Sequence, residues 1–226
     1  SDRQDRLPKG EGVPGGAYTA GYALAQFQAT QEPPNPTSKA LINYLLKTQK
    51  PDGSWRIRTH RPPLEDSHFT ATALGIKAMI NSEPAKKTAQ WIAQAQPKTT
   101  EDHVFKVLGL HWADRQKESQ AAAKVLLKLQ DEEGGWAQLT TMKSDAYATG
   151  QALTALNKCG LLKSDSPQFK KGIQWLLKNQ KPDGSWHVKT RSRPIQKYFE
   201  SGFPHGQDQF ISISATCWAI LALTGN

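Results

Sequence analysis

Three copies of one turn recur along this chain: Gln49-Lys-Pro-Asp-Gly-Ser-Trp55, Gln130-Asp-Glu-Glu-Gly-Gly-Trp136 and Gln180-Lys-Pro-Asp-Gly-Ser-Trp186. Their glutamines stand 81 and 50 residues apart, so one period is about 40 to 50 residues, with a degenerate copy at 96–102 that has lost both Gly and Trp. A period of that length marks an array of supersecondary units, each too small to bury its apolar face alone.

Pro-Asp-Gly combines a fixed φ, a side chain that bonds its own backbone and a residue free to take φ > 0, which makes a tight reversal after a helix. Gln at the helix end brings an amide to unpaired carbonyls, and Trp brings a flat packing surface and a ring N–H that needs an acceptor. The motif reads as a staple between neighbouring outer helices, not as a platform for a ligand.

An amphipathic stretch with Lys on its wet face precedes each copy, at 40–48, 86–95, 121–129 and 169–179. A helix with few charges follows each, at 67–81, 103–113, 146–158 and 209–223, and 18–30 belongs to the same class. Helices charged on one side belong outside and uncharged ones inside, so four outer and five inner helices are predicted. About six such pairs close a barrel. The expected fold is therefore all-α, an incomplete α6/α6-type α/α toroid over 17–226 after a flexible Gly/Pro-rich segment 1–16. The chain is expected to be the C-terminal part of a longer bacterial protein, with a partner domain in that parent.

The turn resembles the QW repeat of squalene-hopene cyclases and related triterpene cyclases, and the paired helices resemble the barrel of protein prenyltransferase β subunits. The resemblance runs from Tyr18 to Leu223. It implies a toroid and, for the cyclases, a prenyl or polyene substrate and an acid in an Asp-x-Asp-Asp run at the start of an inner helix. The matching places here read Glu65-Asp66-Ser67, Glu101-Asp102-His103, Ser144-Asp145-Ala146 and Gln207-Asp208-Gln209, and none is that run. An Asp at the start of each of four inner helices reads as an N-cap. Asp66 and Asp145 are the residues to which acid or base chemistry would fall. The prenyltransferases hold zinc with Asp, Cys and His. His205, Asp208 and Cys217 are the available set, but nine residues on one helix separate the last two, too far to share one ion. No metal and no cofactor is expected.

The net charge of +9 is unevenly spread. Trp55-Arg-Ile-Arg-Thr-His-Arg-Pro-Pro63 and Trp186-His-Val-Lys-Thr-Arg-Ser-Arg-Pro194 form a second duplication, and the segments 56–64 and 187–197 contain no acid. They carry Arg56, Arg58, Arg61, Lys189, Arg191, Arg193 and Lys197. With His60 and His205, these residues predict a rim for an anionic ligand beside inner-helix N-termini, and Arg forks suit carboxylate or phosphate. The competing reading is a solvated basic surface, with Arg56-Ile57-Arg58 as a short strand wet on one face.

A hydrophobic fraction of 37% and seven Trp exclude a disordered chain. The longest apolar run, Ile211 to Leu223, is broken by Ser212, Ser214 and Thr216 and reads as a buried helix, so no membrane span is expected. Residues 1–16 carry no apolar signal-peptide core, and Cys159 and Cys217 do not form a disulfide framework, which leaves the compartment open. Nucleic acid is not an expected partner, since the basic loops fit no binding motif. Three functions remain. The first is a cyclase-like domain with Phe69, Tyr147 and Phe210 around a prenyl ligand. The second is a polysaccharide lyase-like enzyme with Tyr198 or His205 as base. The third is a non-catalytic binding module.

Overall fold

A computed structural model of the chain describes residues 6–80 and 82–225. The first part of segment 1–16 and the end of the helix expected at 67–81 lie outside the described residues. Among the described residues nine α-helices form and no strand: α1 (Ala17–Ala29), α2 (Pro36–Thr48), α3 (His68–Ala78), α4 (Glu83–Gln94), α5 (Thr100–Trp112), α6 (Gln116–Leu127), α7 (Ala146–Lys158), α8 (Pro167–Lys178) and α9 (Gln209–Thr224).

Charge pattern decides the layer. The more apolar helices α1, α3, α5, α7 and α9 pack in succession, and the amphipathic α2, α4, α6 and α8 cover them. Helix α7 buries every residue from Ala146 to Leu156, whereas α8 buries only Phe169, Gly172, Trp175 and Leu176. Helices α1 and α9 do not pack on each other as consecutive inner helices do, so the arc is open. This is the expected all-α, incomplete toroid. Ahead of it a 3-10 turn, Leu7–Lys9, lays the buried Leu7 against α2.

The Trp of the repeated turn makes the same bonds each time. The indole N–H of Trp55, Trp136 and Trp186 donates to the carbonyl of Leu45, Leu126 and Leu176 in the preceding outer helix at 2.8 to 2.9 Å. Their backbone N–H groups donate to Thr72, Thr149 and Thr216 on the following inner helix. Trp thus ties an outer helix to an inner one. Gln49 and Gln130 each donate to the Gly of their own turn and onward to the carbonyl of Pro84 or Gln168, in the first turn of the next outer helix. Gln180 donates to Gly184 alone, because no outer helix follows it among the described residues.

Two expectations are corrected. Of the four Asp residues expected as caps, only Asp145 caps its helix through its side chain, accepting from the N–H of Ala148 at 3.0 Å. Ser67 caps α3, leaving Asp66 one residue too early. Thr99 caps α5 and Asp102 returns the bond from the third helical position, a capping box. Helix α9 emerges from a 3-10 turn, and Asp208 makes no side-chain cap. The expected strand at Arg56-Ile57-Arg58 is likewise not formed. The alternation holds, with Ile57 and Val188 buried. However, the N–H of Ile57 goes to His68 Nδ1 and that of Val188 to Ser212 Oγ, so inner-helix side chains take the place of a partner strand.

Candidate functional site

The N-terminal ends of α3, α5 and α7 surround one cleft of about 440 Å³, within the ~300–1,000 Å³ typical of small-molecule sites. Its wall includes Gln96, Lys98 and Thr99, so it lies along the copy of the turn that lost its Gly and Trp. Phe69 and Trp91 form the apolar side, their rings 5.2 Å apart.

Both basic loops reach this cleft with one basic residue each, Arg56 and Arg191. The Arg56 guanidinium lies 5.3 Å above the Trp91 ring and pairs with Asp52 at 3.0 Å. Arg191 donates from Nε to Gln138 Oε1 at 2.7 Å, and Gln138 donates in turn to Asp145 at 2.9 Å. Arg58, His60, Arg61, Lys189, Arg193 and His205 do not line the cleft. The loops contain no acid, yet their flanks supply several. Arg61 pairs with Glu65, His60 with Asp66 and His187 with Asp208, so the basic rim is partly neutralised where it meets the helix starts. His205 bonds Ser185 Oγ at 2.7 Å and stacks on His187. Tyr198 pairs with Glu200 on the exposed loop.

Asp66 lines the cleft, and Asp145 is taken up by the α7 cap and Gln138. The most deeply buried cleft acid is Glu101, 5% exposed. It accepts from Thr70 Oγ1 at 2.6 Å and from the Tyr147 hydroxyl at 3.0 Å. Burial pushes its carboxyl up to about 7 against these bonds, so it holds its proton in mildly acidic solution. Burial also raises Asp145 above the usual carboxylate range. Asp102 beside Glu101 accepts from Ser67 Oγ and from the N–H groups of Lys98 and Thr99. Sequence reasoning passed over Glu101 in favour of Asp66 and Asp145. The available signal was its spacing from Val104, Phe105 and Leu108, which puts it on the buried side of α5. Of the three aromatics expected around a cavity, Phe69 and Tyr147 line this one and Phe210 does not.

Residues 77–226 match the family described as the squalene-hopene cyclase C-terminal domain, and residues 16–100 match the prenyltransferase alpha-alpha toroid domain. The squalene--hopene cyclase of Zymomonas mobilis is 25% identical over 204 residues, covering 82% of this chain and 24% of its own length. That of Bradyrhizobium diazoefficiens is 27% identical over 208 residues, covering 87% and 26%. The chain thus spans about a quarter of the length of these bacterial relatives. With its helices alternating inside and outside and its three Gln-to-Trp staples, the chain belongs to the squalene-hopene cyclase C-terminal domain family.

Proposed function

We propose that this cyclase-like domain binds a small prenyl ligand bearing an anionic end, its apolar body against Phe69 and Trp91 and its anion at Arg56 and Arg191. The observation that carries this reading is the convergence of those two arginines, one from each duplicated loop, on one aromatic-walled cleft. Arg191 spends one of its donors on Gln138, which leaves fork geometry for an oxyanion. The Arg56–Asp52 pair is about 40% exposed on both sides, so an incoming anion displaces it at little cost. Asp102 has its oxygens engaged by three donors.

Acid chemistry in this cleft falls to Glu101. A carboxyl with a raised pKa is a weaker acid than a free one, so it suits bonding to a heteroatom better than protonation of a bare alkene. The reading therefore assigns binding and leaves out polyene cyclisation by this chain alone. Calorimetric titration with geranyl diphosphate, geraniol and inorganic diphosphate tests it. The diphosphate ester binds tightest, and Arg56→Gln with Arg191→Gln weakens it at least tenfold while leaving geraniol unchanged. Equal affinity of wild type and double variant for the ester overturns the anion assignment.

A further inference from the structure

One helix face in the cleft carries more polar groups than the protein satisfies. Tyr147, Gln151 and Thr154 lie at i, i+4 and i+7 on α7, whose other buried residues are Ala, Leu, Gly150 and Thr149, the last bonded to the Trp136 backbone. Tyr147 is committed as a donor to Glu101. Gln151 lines the cleft, is fully buried, and neither its Nε2 nor its Oε1 has a hydrogen-bond partner. Thr154 Oγ1, one turn deeper, is also buried and unpartnered. The Gln151 amide approaches the Tyr147 hydroxyl closely enough to favour its phenolate as a donor would, but the contact falls short of full hydrogen-bond geometry, and the Gln151 acceptor stays unpaired.

A buried amide without partners is rare and costly in a folded protein, and such groups concentrate where a ligand completes the bonding. A Gln side chain offers one donor edge beside one acceptor edge. The group that satisfies both at once also has a donor beside an acceptor. An uncharged group fits here, because Gln151 itself carries no charge and the neighbouring cleft residue Tyr147 is bonded to the Glu101 carboxyl.

We propose that the floor of the cleft is a second recognition point, at which Gln151 pairs with an uncharged carboxamide-type group of the ligand. This rests on the cleft being a ligand site, as in the reading above, but not on the arginines. Selectivity at such a point is steep, since a ligand lacking the donor leaves the Gln151 acceptor unpaired in a buried setting.

The test compares geranamide with N,N-dimethylgeranamide, which keeps the carbonyl and loses both N–H donors, by calorimetry on wild type, Gln151→Leu and Gln151→Glu, with thermal melts of each. Wild type prefers geranamide at least tenfold, and both variants lose that preference. Gln151→Leu melts at or above the wild-type temperature, because it removes an unsatisfied amide. No preference in wild type overturns the proposal, as does a preference retained in Gln151→Leu. A lower melting temperature for Gln151→Leu with unchanged selectivity assigns the amide a purely structural role and also overturns it. Geranyl diphosphate, titrated alongside, keeps the two readings apart. Binding of the ester without amide selectivity sinks this proposal alone, and amide selectivity without ester binding sinks the arginine reading alone.

Discussion

The hydroxyl of Tyr147 on α7 donates to Glu101 Oε2 on α5 at 3.0 Å, joining two neighbouring inner helices across the floor of the cleft. Thr70 on α3 donates to the other oxygen at 2.6 Å. A single carboxyl therefore gathers three of the five inner helices, and its protonation is coupled to the stability of the arc.

That coupling has a sign. The Glu101 carboxyl is raised from 4.5 to about 7 in the folded chain. Its contribution is complete below the unfolded value and is lost as pH climbs through the folded one. The loss is on the order of 3 kcal/mol across that window. Glu101→Gln keeps the shape and does not titrate. The wild type should therefore lose stability relative to this variant between pH 4.5 and 7, and then run parallel to it. Urea unfolding of both proteins at pH 4.5, 6 and 8 measures the difference. A constant gap across the series would mean that Glu101 ionises freely.

The architecture was legible because its signals are local and repeated. The Trp of each turn recurs with the same partners, and the amphipathic Lys-bearing stretch before each turn, followed by a more apolar helix, sorted outer from inner. The caps were less legible. Ser67 and Asp66 are adjacent, and which one caps depends on the phase at which the chain enters α3. The cleft was least legible of all, since it joins Arg56 to Arg191 through folding and not through spacing. The charge count of the loops likewise left out Asp52 and Glu65, just outside the first loop, and the more distant Asp208, all of which pair with loop residues.

The staple bond itself can be tested in isolation. Trp136 is fully buried and its indole N–H is bound to the Leu126 carbonyl at 2.9 Å. Trp136→Phe keeps an aromatic ring but leaves that carbonyl without this donor, which costs about 1–3 kcal/mol. For a chain of this size the melting temperature falls by roughly 3–10 °C. Trp186→Phe should match it, because Trp186 makes the same bond to Leu176. A change below about 1 °C in both would remove the staple role from the ring nitrogen and leave it to packing.

The open end of the arc predicts an asymmetry between two glycines of the same motif. Gly134 and Gly184 both take positive φ, at 101° and 84°. A Cβ on Gly134 would stand 2.6 Å from the carbonyl oxygen of Lys171 on α8, whereas a Cβ on Gly184 meets nothing within 4 Å. Gly184→Ala therefore carries only the strain of the left-handed backbone, about 1–2 kcal/mol. Gly134→Ala carries that strain and must also push the next outer helix away, for a total of about 3 kcal/mol or more. Urea midpoints of the two variants decide it. A larger loss for Gly134→Ala is expected, and equal losses would show that the close approach of the turn to α8 contributes nothing to holding consecutive outer helices together.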